Sequence, residues 1–285
     1  HLENLVGQDV LRAGLREYLK DNAYGNATWP QLIALLDSKT ALNLDEWNKA
    51  WVYEAGRPRI VVTREASDEQ GRTHVVVRQE DPAGMGRIWP QKLSLLAITS
   101  TSQTIHHIEL SGDAVVIPAP AGDASDAMIL LPNASGIEYA DFVLDPQSQN
   151  GLLRDIGSIE PPVARGAAWT TLWEEVQEGR LAAGLYLDTA LRELPAEQNE
   201  LIINRVLGTL DESYWLRLDT QARLAVSGPL EAMLWREVES TLRDTSARAA
   251  IVVLKCTGGA DGTVVFRKTK KGVQLLAAGG GLSWL

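Results

Sequence analysis

The sequence predicts a multidomain chain of mixed class: helices first, then an antiparallel β-sandwich, then a solenoid-like α-helical repeat. Three observations carry that expectation. Apolar residues recur at three- and four-residue steps over residues 5–55. Short runs rich in Val, Ile and Thr follow, broken by Gly, Pro and Asp at about ten-residue spacing. Amphipathic segments then return over residues 151–250.

In the first stretch, Leu5, Val6, Val10, Leu11, Leu15, Tyr18 and Leu19 trace one helical face. After the loop DNAYGNAT, Thr28 can cap a helix with Pro30 in its first turn and Leu32, Leu35 and Leu36 on one face. Asp45 is expected to open a third short helix, with Trp47 and Trp51 four apart. Gly56 and Pro58 end it.

From residue 59, RIVVTREA, THVVVRQE, KLSLLAITS, TIHHIEL, AVVIPA and AMILLP read as strands of a sandwich of about seven. The segment ILLPNASGIEYADFVLD reads as a closing hairpin, and DPQSQNG as a linker between domains. Four amphipathic segments follow: PPVARGAAWTTLWEEVQEG, AGLYLDTALREL, AEQNELIINRVLGTLDESYWLRL and GPLEAMLWREVESTLRD. Pro or Gly is expected at their joints, as in stacked helix pairs. Residues 251–285, with clustered Gly and the basic run RKTKKG, fit neither pattern.

Bulk properties narrow the function. A length of 285 residues suits two or three domains, and a net charge of −10 repels phosphate backbones, which argues against nucleic acid. The single cysteine, Cys256, cannot form an internal disulfide. No apolar run approaches the ~20 residues of a membrane span, and HLENLVGQDV lacks the pattern of a signal peptide. A soluble chain is expected, cytoplasmic or exported. It begins without methionine and stops at GGGLSWL, so it is expected to be a piece of something longer.

Few residues in the sequence suggest a reactive centre. His106, His107 and Glu109 could be drawn as zinc ligands, yet adjacent strand residues face opposite sides of a sheet, so the two histidines diverge. Cys256 has no neighbouring His or Asp, and a free cysteine commonly acts as a small apolar residue. Ser135 lacks the glycine two residues earlier that a nucleophile elbow requires. Neither GGADGT nor the terminal GGG fits a phosphate loop. RKTKKG reads as a solvated basic run, and Glu174 and Glu175 as exposed carboxylates that serve solubility. Asn26 and Asn133 sit in glycosylation sequons, which matter only on a secretory route. The pairs Trp47/Trp51 and Trp169/Trp173 could form a ligand platform, but their i,i+4 spacing suits helix packing better.

Three stretches, taken in order, carry a family resemblance. The first is VGQDVLRAGLREYLKDNAYGNATWPQLIALLD with LNLDEWNKAWVYEAGRPRIVV, holding Gly14, Tyr18 and Leu19, then Asn26, Ala27 and Thr28, then Trp51, Gly56 and Pro58. The second is RQEDPAGMGRIWPQKLSL with the 129–145 segment, holding Gln79, Pro82 and Trp89, then Leu131, Pro132, Asn133, Gly136 and Tyr139; Ala140 stands where a glycine is common. The third is ARGAAWTTLWEEVQEGRLAAGLYLDTALRELPAEQNELIINRVLGTL. Together they resemble the rear half of the aminopeptidase N-like zinc metallopeptidases, the gluzincin aminopeptidases.

The resemblance implies three domains. Residues 1–57 would be the helical end of the thermolysin-like catalytic domain, 58–146 the β-sandwich and 147–285 the α-helical repeat domain. It also implies a catalytic domain upstream in the same chain, with zinc as the parent's cofactor and a peptide as substrate. The family's H-E-x-x-H and G-A-M-E-N motifs do not occur here, so no catalytic or metal residue carries over. The family's helical domain can line the substrate channel with basic residues, which makes Arg236, Arg243, Arg248 and Arg267 the positions to inspect. The expectation is a non-catalytic fragment of a zinc aminopeptidase, acting as scaffold and channel cover, inactive alone. The alternative is a non-enzymatic peptide- or protein-binding module made of a β-sandwich and a helical solenoid.

Overall fold

The structure, a computed structural model, describes residues 1–65, 74–118, 129–243, 252–254, 264–269 and 272–278. Helices and small sheets alternate along the chain, which gathers into two compact units, His1–Leu152 and Leu153–Leu285.

The first unit opens with α1 (Leu2–Val6) and α2 (Gln8–Asp21), where the sequence suggested one helix. Gly7 separates them with φ 90°, a left-handed conformation that favours glycine. Within α2, Gly14 is buried, and a methyl group there would run into the side chain of Leu36. Its missing side chain lets α2 approach α3 (Trp29–Asp37) closely. Gln31 Oε1 accepts from the Thr28 backbone N–H at 3.0 Å, half of the capping box that fixes where α3 begins.

The third helix, α4 (Leu44–Asn48), is capped by Asn43 rather than Asp45. Asn43 Oδ1 accepts from Glu46 N–H at 3.1 Å. The helix widens into a π turn over Lys49–Tyr53, closed by Glu54 N–H donating to Lys49 O. Leu5, Ile33, Leu36, Leu44 and Trp47 form the core of this helical part.

Among the described residues, seven strands follow in this unit: β1 (Arg59–Glu65), β2 (His74–Glu80), β3 (Gln91–Ile98), β4 (Gln103–Leu110), β5 (Ala114–Pro118), β6 (Ile129–Leu131) and β7 (Asp141–Val143). They make a four-stranded sheet, β5-β2-β1-β7, and a three-stranded sheet, β4-β3-β6. Ile60, Val62, Val77, Leu95, Leu110 and Phe142, drawn from both sheets, share one core. Each such side chain contributes about 1.5–3 kcal/mol when buried.

Two features depart from the sequence reading. Residues 129–145 do not form a hairpin: β6 pairs with β3, while β7 crosses to the other sheet and pairs with β1. That second pairing is parallel, with Arg59 opposite Asp141, in a region expected to be wholly antiparallel. The physical cause lies in the connection. Ala134 N–H donates to Ser94 O and Glu138 Oε1 accepts from Ser94 N–H, each at 2.9 Å, so the turn itself is pinned to β3. Gly136, at φ 71°, then redirects the chain.

The helical part and the sheets are joined through the π turn. Trp89 Nε1 donates to Ala50 O at 2.9 Å, Trp51 Nε1 to Pro90 O at 3.2 Å, and Arg87 Nη1 to Ala55 O at 2.7 Å.

The expected linker is helical: α5 covers Pro146–Asp155. Asp145 caps it, its Oδ1 accepting from the N–H groups of Gln147 and Ser148, with Pro146 supplying a fixed φ at the first position.

In the second unit, α6 (Pro162–Gln177) packs against α7 (Ala183–Glu193) and α8 (Glu200–Glu212). Ala164, Ala168, Leu172 and Val176 are all buried on α6, together with Trp169 and Trp173. A helix so apolar around its circumference is one enclosed by neighbours. A π turn, Ser213–Arg217, links α8 to α9 (Thr220–Arg243). Gly228 and Pro229 were expected at a joint but lie inside α9. The unplaced end contains β8 (Val252–Leu254), β9 (Val264–Thr269) and β10 (Gly272–Ala278), an antiparallel sheet with β9 central.

Candidate functional site

Among the described residues no three His, Cys, Asp or Glu side chains gather as metal ligands would. On β4, His107 and Glu109 face solvent, whereas His106 is half-buried and opposite Leu95. The divergence expected from strand geometry is present. Cys256, the GGADGT segment and the terminal GGG lie outside the described residues. Ser135 sits in the turn before Gly136, and of the sequon residues Asn26 is exposed while Asn133 is buried.

The two tryptophan pairs are packing residues. Trp47 and Trp51 approach with ring centroids 6.4 Å apart. Trp169 and Trp173 both lie against Tyr186, at 5.6 and 5.5 Å. Tyr186 is buried, and its hydroxyl meets Thr209 Oγ1 at 2.6 Å, tying α7 to α8. Burial pushes the Tyr186 phenol up to about 12, against the weaker opposing pull of Thr209 and Arg205.

One expectation about charge is corrected. Glu175 is not an exposed solubilising carboxylate but is 1% exposed, with its Oε1 accepting from Arg180 Nε at 3.0 Å; Glu174 beside it is half-buried. The turn after α6 is closed by this pair and by Glu175 O, which accepts from Arg180 and Leu181 N–H.

Of the four arginines expected to line a channel, three fall in described elements. Arg236 is exposed on α9, and Arg243 is the last residue of that helix. Arg267 belongs to β9, opposite Gln274 and Val252 in the register. Arg248 lies outside the described residues.

Several ion pairs of the first unit carry no local sequence signal, because their partners are distant in sequence or hidden in a turn. Arg59 Nε donates to Asp141 Oδ2 at 2.9 Å, fastening β1 to β7. Arg64 pairs with Asp145, whose Oδ2 also accepts from Ser148 Oγ at 2.6 Å. Asp81 accepts from the N–H groups of Ala83, Met85 and Arg87 and from the Arg87 guanidinium. That guanidinium holds the Asp81 carboxyl well below the usual carboxylate range, against the opposing effect of desolvation. Arg87 also stacks over Trp89 at 4.7 Å.

In the second unit, a cavity of about 140 Å³ is lined by Gly157, Arg165, Trp169, Glu193, Ala196, Glu197 and Gln198. Arg165 grips Glu197 with two parallel bonds, Nε to Oε2 at 2.6 Å and Nη2 to Oε1 at 2.9 Å, while Nη1 donates to Ile159 O. Burial raises the Glu197 carboxyl, but Arg165 and the N–H groups of Asn199 and Gln198 outweigh it and hold the group below its ordinary value. Glu193 Oε1 accepts from Arg192 Nε at 2.8 Å.

No family model matches the chain. It is 26% identical over 261 residues to Aminopeptidase N of Streptomyces lividans, a match that covers 86% of this chain and 29% of that protein. To Aminopeptidase N of Lactobacillus delbrueckii subsp. lactis it is 27% identical over 169 residues, covering 54% and 19%. The chain is an aminopeptidase N-like relative. A further relative, Tricorn protease-interacting factor F2 of Thermoplasma volcanium, is 21% identical over 224 residues, covering 77% and 26%. The aminopeptidase N-like chain thus spans less than a third of each of these relatives. The crystal structure of Legionella pneumophila aminopeptidase A in complex with aspartic acid aligns with 84% of this chain and 30% of that one, at 13% identity and TM-score 0.40.

Proposed function

We propose that this chain is a non-catalytic part of a zinc-dependent aminopeptidase, a scaffold and substrate-channel cover for a catalytic domain upstream in the same polypeptide. The observation that carries the reading is the 26% identity to Aminopeptidase N over 86% of the chain, confined to 29% of that protein. Residues 1–57 would close the thermolysin-like domain, 58–146 form the β-sandwich and 147–285 the helical repeat domain. The substrate would be a peptide losing its N-terminal residue, with Arg236, Arg243, Arg248 and Arg267 as basic channel positions.

Among the described residues no set of side chains fits a zinc site. The sequence holds no H-E-x-x-H, and the adjacent histidines of β4 point apart. In this reading the metal chemistry belongs to the catalytic domain upstream. What this chain supplies is rigidity, in its first unit through the helical core, the sheet core and the Trp89–Ala50 and Arg87–Ala55 bonds.

The test compares this chain with one extended through the upstream reading frame, measuring zinc content and hydrolysis of aminoacyl anilides. Only the extended chain should bind zinc and cleave. Zinc-dependent cleavage by the chain alone would overturn the reading. Inactivity of both forms would favour a non-enzymatic module that binds peptide or protein.

A further inference from the structure

The cavity beside Arg165 offers chemistry that the scaffold reading does not use. Its wall contains two carboxylates, one guanidinium and one indole. The guanidinium is already matched: Glu197 takes it in two bonds, and Ile159 O takes a third. Glu197 is likewise engaged at both oxygens, and Oε1 also accepts from Gln198 and Asn199 N–H, both within 2.9 Å. Arg192 is spent on Glu193 Oε1 and on the carbonyls of Leu153 and Arg154.

One charged atom is left over. Glu193 Oε2 has no hydrogen-bond partner among the described residues and lies against Gly157, where a methyl group would collide with it. Glycine at 157 makes room for this oxygen, which sits where a Cβ would lie and lines the partly open cavity. Glu193 is also the last residue of α7, so the cavity lies at the negative end of an eleven-residue helix. Trp169 adds an aromatic wall able to attract a cation.

We propose that this cavity is a binding site for a primary ammonium group. An anion would meet the free carboxylate oxygen and the helix end, with Arg165 unable to answer. A divalent metal would need several oxygen ligands, and among the described residues no three His, Cys, Asp or Glu side chains gather to supply them. An ammonium needs few partners, and a volume of about 140 Å³ admits it with a short alkyl stem. Such a group could come from a lysine side chain or from the amino terminus of a peptide. The inference does not depend on the aminopeptidase reading.

The experiment is a titration of the ¹⁵N-labelled chain followed by amide and indole shifts. The probes are Nα-acetyl-lysine methylamide, alanine amide, which carries only an α-ammonium, and the uncharged Nα-acetyl-norleucine methylamide. At least one charged probe should shift the Gly157 amide and Trp169 indole signals, and which one does so identifies the source. The uncharged probe should leave them in place. Glu193→Gln, nearly isosteric, should weaken binding about tenfold, and Gly157→Ala should weaken it as well by pushing the Glu193 carboxylate out of place. If Gly157→Ala loses its spectral dispersion, Glu193→Gln decides alone. The proposal is overturned if neither charged probe binds, if the uncharged probe binds equally, if Glu193→Gln binds unchanged, or if the shifts fall elsewhere.

Discussion

Arg165 and Glu197, 32 residues apart in sequence, face each other in a two-pronged ion pair that is almost withdrawn from water, their side chains 15% and 6% exposed. The pair joins α6 to the segment between α7 and α8. Removing one partner leaves the other charge buried and unmatched, so Arg165→Ala or Glu197→Ala should each lose about 3 kcal/mol in urea unfolding. Replacing both together with apolar residues of similar size, Arg165→Met with Glu197→Leu, should lose less than either single change.

The same pair sets an acid dependence. Glu197 is held below its ordinary value in the fold, so the stability it contributes is present above the unfolded carboxyl value, about 4.3. It is lost as pH falls through the lower folded value. Unfolding free energies measured from neutral to acid pH should fall less steeply in the Arg165→Met/Glu197→Leu chain than in the native one.

Tyr186 acts at the other end of the scale. Its phenol is pushed up to about 12 in the fold against about 10 when unfolded, so unfolding releases a group that ionises more easily. The contribution is complete below the unfolded value and lost as pH rises toward the folded one, at most ~3 kcal/mol over that window. Tyr186→Phe should flatten stability across that range. At neutral pH it should lose only about 1 kcal/mol, because Thr209 Oγ1 keeps its bond to Val206 O.

Trp89 is 1% exposed and spends its indole N–H on Ala50 O, a carbonyl of the π turn. Trp89→Phe leaves that carbonyl without its donor and opens space beside it. A loss of about 2–4 kcal/mol is expected, measured by urea unfolding. Trp51→Phe, at a partly buried site with a longer 3.2 Å bond, should lose less.

Local signals in the sequence proved legible wherever the deciding contact is itself local. Thr28 and Gln31 mark the start of α3 within four residues, and every strand expected between residues 59 and 131 is present. Asp145-Pro146 carried a helix-start signal as plain as Thr28's, yet the polar run behind it suggested a linker. Contacts across long separations were not legible. The 129–145 segment reads as a hairpin because strand, turn and strand follow one another. Its partners are Ser94 on one side and Arg59 on the other, and no local pattern announces them. The cavity beside Arg165 was hidden for the same reason, since Gly157, Arg165 and Glu193 meet only in the folded unit.

Gly14 gives the sharpest test of helix packing. In an exposed helix interior, replacing glycine with alanine stabilises by roughly 0.5–1 kcal/mol through lost chain entropy. At Gly14 the added methyl would run into Leu36, which is fully buried between α2 and the rest of its core. Overpacking of this kind costs about 1–3 kcal/mol, so the sign reverses and Gly14→Ala should destabilise by about 1 kcal/mol net. Leu36→Val alone leaves a void and should destabilise as well. Combined with Gly14→Ala, the shorter valine makes room for the methyl, so the double variant should be more stable than the two losses summed. A double-mutant cycle by urea unfolding reads that coupling directly. Strict additivity would mean that α2 shifts away from Leu36 and that the close approach is not what glycine provides.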